Sequence, residues 1–142
     1  MRWTMENAPT QRQIAEAGEA SRAMHDVAAA EGLSVETVRA AVADGHLVIP
    51  ANRHHGNLEP VGIGRDLRTK INANIGRSTV MSGLSDEIEK LDTALRYGAD
   101  TVMDLSTGSD TKEIRGAILA RSGAPIGTVP IYEAVSRIET VD

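Results

Sequence analysis

The sequence predicts an α/β fold in which a helical segment precedes three strand–helix units of a parallel sheet. Residues 10–32 are rich in Ala, Glu and Arg, and their apolar positions recur at mostly helical intervals. From residue 70 onward, strand-like apolar runs alternate with helix-like segments. Because such alternation is typical of right-handed βαβ units, a parallel sheet is expected there. The predicted division is a helical segment at 1–46, a connecting strand and loop at 47–69, and the strand–helix units at 70–142.

The amino-terminal segment is predicted to form two helices. The first covers residues 10–32, and the second begins after Ser34, whose hydroxyl can cap it, and stops near Gly45. A short strand at 47–50 and a polar loop follow. That loop contains Gly62-Ile63-Gly64-Arg65, a pattern that could cradle a phosphate but is short and common, so it is interpreted as an ordinary loop.

The strand–helix units have recognisable boundaries. Ser85 is the expected cap of the first helix, Asp110 and Glu113 form a start resembling a capping box, and Pro130 suits the entry into the last helix. The predicted strands are 70–75, 101–105 and 126–130, and the last helix is 131–138.

The composition excludes several classes of protein. A chain of 142 residues can bury the core of one domain, and it contains no apolar run of the roughly 20 residues that cross a bilayer. The net charge of −5 argues against nucleic acid as a partner, since phosphates favour a basic face. The first ten residues lack the features of a secretory signal, which indicates a cytoplasmic protein.

The chain contains no cysteine. Disulfides, thiolate nucleophiles, zinc–thiolate sites and cysteine-ligated clusters are therefore excluded within these residues. Aromatic residues make up only 2%, so the core must be aliphatic. Tyr132, at the end of a predicted strand, stands out for this reason.

Three segments carry polar or unusual residues at predicted strand ends, where parallel α/β barrels place ligand contacts. In 70–76, Asn72 and Asn74 either contact a ligand or satisfy buried backbone groups. In 102–108, the carboxylate of Asp104 is either a site residue or the partner of a nearby Lys or Arg. Met103 taken alone is more typical of a core than of a ligand contact.

The remaining titratable residues give weaker signals. The adjacent His54 and His55 are interpreted as solvated loop residues rather than metal ligands, because adjacent histidines seldom chelate one ion. His25 and His46 have no partner at ligand spacing and are assigned no role. Three further acids are expected to form solvated helix faces: Glu87, Glu89 and Glu113.

Together the three segments resemble the phosphomethylpyrimidine synthase family. They read Lys-Ile-Asn-Ala-Asn-Ile-Gly at 70–76, Ala-Asp-Thr-Val-Met-Asp-Leu-Ser-Thr-Gly at 99–108 and Pro-Ile-Gly-Thr-Val-Pro-Ile-Tyr at 125–132. Residues 44–50 and 61–65 also resemble that family, so the resemblance covers nearly the whole chain. It implies a (β/α)8 barrel of the TIM type, of which this chain holds the first three βα units. It also implies conversion of 5-aminoimidazole ribotide to hydroxymethylpyrimidine phosphate with S-adenosylmethionine and a 4Fe-4S cluster.

The resemblance places the family's substrate-contacting Asn, Met and Tyr on Asn74, Met103 and Tyr132, with orienting roles. The two gaps are each 29 residues, the length of one βα unit. The family's other substrate, zinc and cluster residues have no counterpart in these 142 residues, so no catalytic, cofactor-binding or metal-binding residue is assigned. The 4Fe-4S cluster, S-adenosylmethionine and zinc are implied for the full-length enzyme only. The chain alone is expected to be inactive, and a homo-oligomer is expected.

Two other interpretations stay open at this point. A related enzyme, 5-hydroxybenzimidazole synthase of cobamide biosynthesis, uses the same substrate and would share these early strands. Alternatively, the chain is a non-catalytic binding or assembly module.

Overall fold

The computed structural model describes residues 8–77, 83–108 and 110–136. The chain divides into two compact units, Met1–Ala51 with Pro60–Thr69, and Asn52–Glu59 with Lys70–Asp142. Helices and a small parallel sheet confirm the α/β class. No helix among the described residues is long and apolar enough to cross a membrane.

The first unit is built from short helices and a strand pair. Where one helix was predicted over 10–32 there are two, because the chain turns at Gly18 with a φ of 81°. Ser21 then caps the second helix by accepting the Met24 N–H at 3.2 Å. The predicted cap at Ser34 is confirmed, since its hydroxyl accepts the Thr37 N–H at 3.0 Å. The elements are α1 (Gln11–Glu16), α2 (Arg22–Glu31), α3 (Val35–Ala43), β1 (Leu47–Val48) and β2 (Ile63–Gly64), the two strands being antiparallel.

The two glycines of the 62–65 segment lie where the chain has no room for a side chain. A Cβ on Gly62 would lie 2.6 Å from a methyl group of Val27, and one on Gly64 would lie 2.7 Å from the carbonyl oxygen of His46. The loop interpretation is wrong for Gly64, which belongs to β2. Close packing therefore accounts for this glycine pair.

The second unit contains the predicted parallel sheet. Its three strands lie in chain order and are all parallel, which confirms the expected βαβ arrangement. Its elements are β3 (Asn72–Ile75), α4 (Leu84–Arg96), β4 (Thr101–Asp104), α5 (Thr111–Arg121), β5 (Ile126–Thr128) and α6 (Pro130–Ser136).

Two predicted helix starts differ from the observed ones. Helix α4 begins before Ser85, with Gly83 as its cap residue, and the Asp86 carboxylate accepts the Gly83 N–H at 2.7 Å. Asp110 precedes α5 as predicted, but its side chain makes no capping bond and forms an ion pair with Arg77 instead. Pro130 is the first residue of α6, as predicted.

The sheet is anchored to its helices through one apolar face. Successive side chains of a strand point to opposite faces, and Ile75 and Val102 share one face. There they pack in one cluster with Leu91 of α4 and with Ile114 and Ile118 of α5. This packing leaves the other face of β3 and β4 directed away from the two helices.

Glu87 corrects a prediction about the helix surface. It was expected in a solvated face, but its side chain is completely buried, with Oε1 2.7 Å from the ammonium group of Lys90. A charge buried in this way is tolerated because it is paired. Glu89 and Glu113 are exposed, as expected.

Candidate functional site

The sheet face opposite α4 and α5 carries the polar residues of β3. Asn72 and Asn74 alternate with Ala73 and Ile75, and both amide side chains are exposed. Their nearest polar partners are side chains of the same face, so they do not satisfy buried backbone groups as one interpretation of the sequence supposed. A surface of this kind is open to a ligand.

Asn74 and Met103 are brought together by the register of the sheet. They are directly paired between β3 and β4, so their backbones lie about 4.8 Å apart, the spacing of neighbouring strands. Met103 is in turn paired with Gly127 of β5. Its Sδ and Cε lie 3.0 Å from where a Cβ of Gly127 would stand, so the thioether extends over the space that this glycine leaves.

Tyr132 lies farther from this pair along the chain. It is in the first turn of α6, five residues beyond Gly127, and its N–H donates to the carbonyl oxygen of Val129 at 3.1 Å. Its side chain is 41% exposed. The strand order therefore places Asn74 and Met103 side by side and Tyr132 beyond the carboxyl end of the adjacent β5. A shared binding role for the three residues stays a prediction.

A row of hydrogen bonds joins the polar residues of this face. The Thr101 hydroxyl donates to Asn72 Oδ1 at 3.0 Å, and Asn72 Nδ2 donates to Asn74 Oδ1 at 2.9 Å. Thr101 and Asn72 are register partners. The sequence interpretation missed Thr101, although the separation between the register partners Asn72 and Thr101 is the same 29 residues that separates Asn74 from Met103.

A cleft of about 450 Å³ adjoins Asn74 between β3 and α4. Its wall on the strand includes Ala73 and Ile75, and its other wall is one stretch of α4. The helix side chains that line it are Asp86, Glu89, Lys90 and Thr93, together with the small Ala94.

The loops that follow β3 and β4 are tied together around Asp104. This carboxylate is buried, and its Oδ1 accepts the Ser106 N–H at 2.9 Å. The Ser106 hydroxyl accepts the Arg77 N–H at 3.1 Å, and the Thr107 N–H donates to the Arg77 carbonyl at 2.9 Å. In the described part of the chain no Lys or Arg pairs with Asp104, so the ion-pair alternative raised from the sequence is wrong there. Asp104 instead fixes the turn after its own strand.

The histidine pair also departs from its predicted environment. His54 is exposed as expected, but His55 is buried, and its Nε2 lies 2.7 Å from the carbonyl oxygen of Ser122. The solvated interpretation of His55 is therefore wrong, because its ring links the 52–59 segment to the chain after α5. Within the described ranges, no group of three or more His, Asp or Glu side chains could hold a metal ion.

Comparisons with known proteins agree on one family. The family model described as the radical SAM ThiC family matches residues 10–142. Phosphomethylpyrimidine synthase of Halobacterium salinarum is 58% identical over 132 residues, covering 93% of this chain and 28% of that protein. The enzymes of Natronomonas pharaonis and Moorella thermoacetica are 55% and 54% identical, over 92% and 88% of this chain and 27% and 29% of their own lengths. The chain thus spans less than a third of these relatives.

Proposed function

The chain belongs to the radical SAM ThiC family, and from this we propose that it is the amino-terminal portion of a phosphomethylpyrimidine synthase. The proposed reaction is conversion of 5-aminoimidazole ribotide to hydroxymethylpyrimidine phosphate in thiamin biosynthesis. The proposed complete fold is a (β/α)8 barrel of which β3, β4 and β5 supply three neighbouring strands. The order and parallel direction of these strands support that proposal.

We further propose that Asn74, Met103 and Tyr132 bind and orient the substrate. The single observation that carries this is the direct pairing of Asn74 with Met103 on the exposed face of the sheet. There an amide offers directional hydrogen bonds and a thioether offers apolar contact, which together suit the edge and face of a substrate ring. Tyr132 would add a phenolic hydroxyl from the start of α6.

This chain lacks the residues that would bind the iron–sulfur cofactor of the reaction. A 4Fe-4S cluster is held by cysteine thiolates, and these 142 residues contain none. We propose that the cluster, S-adenosylmethionine and zinc are held by residues outside this chain, and that its own contribution is to substrate binding.

The proposal is tested in a chimaera in which residues 10–142 replace the matching region of the Halobacterium salinarum enzyme. The purified, cluster-reconstituted chimaera should form hydroxymethylpyrimidine phosphate from 5-aminoimidazole ribotide. Turnover would support substrate binding by this chain for either enzyme, since 5-hydroxybenzimidazole synthase would share these early strands. No turnover by a folded chimaera with an intact cluster would favour the non-catalytic module.

Single substitutions then test the binding residues. Asn74→Ala should raise KM about tenfold, the effect of losing one good hydrogen bond. Met103→Ala and Tyr132→Phe should raise KM by about three- to tenfold each. Asn57→Ala is the matched control, since this exposed amide lies in the 52–59 segment, away from the sheet face. If Asn74→Ala behaves like the control, the assigned site is wrong even when the chimaera is active.

A further inference from the structure

We propose that Asn72 and Thr101 are positioning residues that fix the orientation of the Asn74 amide toward the substrate. The inference rests on the proposed function, because it concerns the same binding residue. It adds two residues that do not themselves contact the substrate.

A row of two hydrogen bonds supports the amide of Asn74. A threonine hydroxyl donates to Asn72 Oδ1, and this occupies the amide oxygen of Asn72. Asn72 then uses Nδ2 to donate to Asn74 Oδ1. In the described residues Asn74 Nδ2 makes no hydrogen bond, so the outer end of the row is left for a ligand.

The row is needed because an asparagine amide has two nearly isosteric ends. Turning the Asn74 amide by half a rotation would exchange its oxygen for its nitrogen without changing its shape. In that arrangement two N–H groups would face each other and the bond to Asn72 would be lost. With Asn72 in place, the Asn74 amide therefore has one orientation. The Thr101 hydroxyl, which can donate or accept, holds Asn72 through the other end of the row.

All three residues are held by the sheet itself. Asn72 and Asn74 are two residues apart on β3 and so share a face, and Thr101 is the register partner of Asn72. The backbone N–H groups of Asp100 and Thr101 both donate to the carbonyl oxygen of Ile71, at 2.8 and 3.2 Å, which fixes the start of β4 against β3. Groups supported by paired strands keep their geometry better than groups on loops.

The consequence for recognition is that the Asn74 amide meets the substrate in one fixed orientation. Met103, the register partner of Asn74, adjoins this amide with an apolar surface. The arrangement fits a planar or sugar ring that carries a polar group at its edge.

The test uses the active chimaera and separates positioning from structural support. Asn72→Ala should raise KM about fivefold with kcat nearly unchanged, and Thr101→Val, which removes only the hydroxyl donor, should raise it about threefold. Thr101→Ser keeps the donor and should restore the wild-type KM. Thr128→Val is the matched control, a strand threonine on the opposite face of β5.

A double-mutant cycle gives the decisive measurement. If Asn72 acts through Asn74, adding Asn72→Ala to Asn74→Ala should change KM by less than about twofold.

The outcomes distinguish two failures. An unchanged KM in Asn74→Ala overturns the proposed binding site, and this inference with it. The positioning role alone is overturned if Asn74→Ala raises KM and either of two further results is found. One is that the effect of Asn72→Ala adds to that of Asn74→Ala. The other is that Thr101→Ser has a KM no lower than that of Thr101→Val.

Discussion

Replacing Gly76 with alanine should loosen the carboxyl end of β3 from the loop after β4. Gly76 has a φ of 150°, a backbone conformation that residues with a Cβ rarely adopt. An added Cβ would also lie 2.7 Å from the carbonyl carbon of Leu105 and 2.7 Å from the nitrogen of Ser106. Both are backbone atoms, so no side-chain rotation relieves the contact.

The backbone strain and the steric contact at Gly76 can be separated by comparison with a second glycine. The conformational strain at Gly76 costs about 1–3 kcal/mol. Forcing the two loops apart adds about 1–3 kcal/mol, as overpacking does in a core. Gly98 has a φ of 89° with open space around it, so Gly98→Ala introduces strain of about 1–2 kcal/mol and no clash.

The measurement is thermal unfolding of the 142-residue chain followed by far-ultraviolet circular dichroism. At about 4 °C for each kcal/mol, Gly76→Ala should lower the midpoint by roughly 10 °C or more, and Gly98→Ala by roughly 4–8 °C. Hydrogen exchange should also accelerate at the Leu105 amide, which donates to the Ile75 carbonyl at 2.8 Å. A Gly76→Ala midpoint no lower than that of Gly98→Ala would refute the close approach of the two loops.

Three further predictions follow from charge, composition and exposed apolar surface. Hydrogen bonds from Arg121 hold the pKa of Asp92 below its ordinary 3.8. These bonds contribute to the free energy of unfolding above pH 3.8, and that contribution is lost as the pH falls through the lowered pKa of the folded state. Arg121→Gln should therefore lower the unfolding midpoint at about pH 7, by an amount that shrinks as the pH falls below 3.8; an effect that does not change with pH would contradict this. The purified chain should release no 5'-deoxyadenosine from S-adenosylmethionine after reconstitution, because it has no cysteine to bind a cluster, and a signal above the no-protein blank would contradict this. The chain should also self-associate in sedimentation experiments through the exposed side chains of Ile71, Ile131 and Val135, which are 58%, 62% and 58% accessible; a single monomer boundary at all concentrations would argue against it.

The parallel sheet could be predicted because its signal is local and repeated. Apolar runs separated by helix-length segments indicate βαβ units, and a 29-residue spacing matches the register of β3 with β4. The same spacing does not apply to β5, where Met103 pairs with Gly127 rather than with Tyr132. A register depends on the length of each connection, and the connection through α5 is shorter.

The errors lie where tertiary partners decide the environment. His55 is buried because Ser122, 67 residues away, supplies a carbonyl oxygen. Asp110 has the sequence context of a helix cap, but its carboxylate forms an ion pair with Arg77 in the loop after β3. Gly18 interrupts a helical pattern whose apolar positions continue on both sides, so the break was not visible from periodicity. None of these partners can be identified from neighbouring residues.

The alternation along β3 and β4 separates folding from the proposed binding role. Ile75 and Val102 are buried against the helices, so changes there would lower stability before they affected a ligand. Asn74 is exposed and Met103 only partly buried on the other face, so changes there should cost little stability. Asp104 follows Met103 but lies on the buried face, where it fixes the turn through Ser106. Adjacent residues of one strand therefore contribute either to stability or to the proposed binding site. From this geometry we expect a substitution at Met103 to weaken substrate binding without lowering stability.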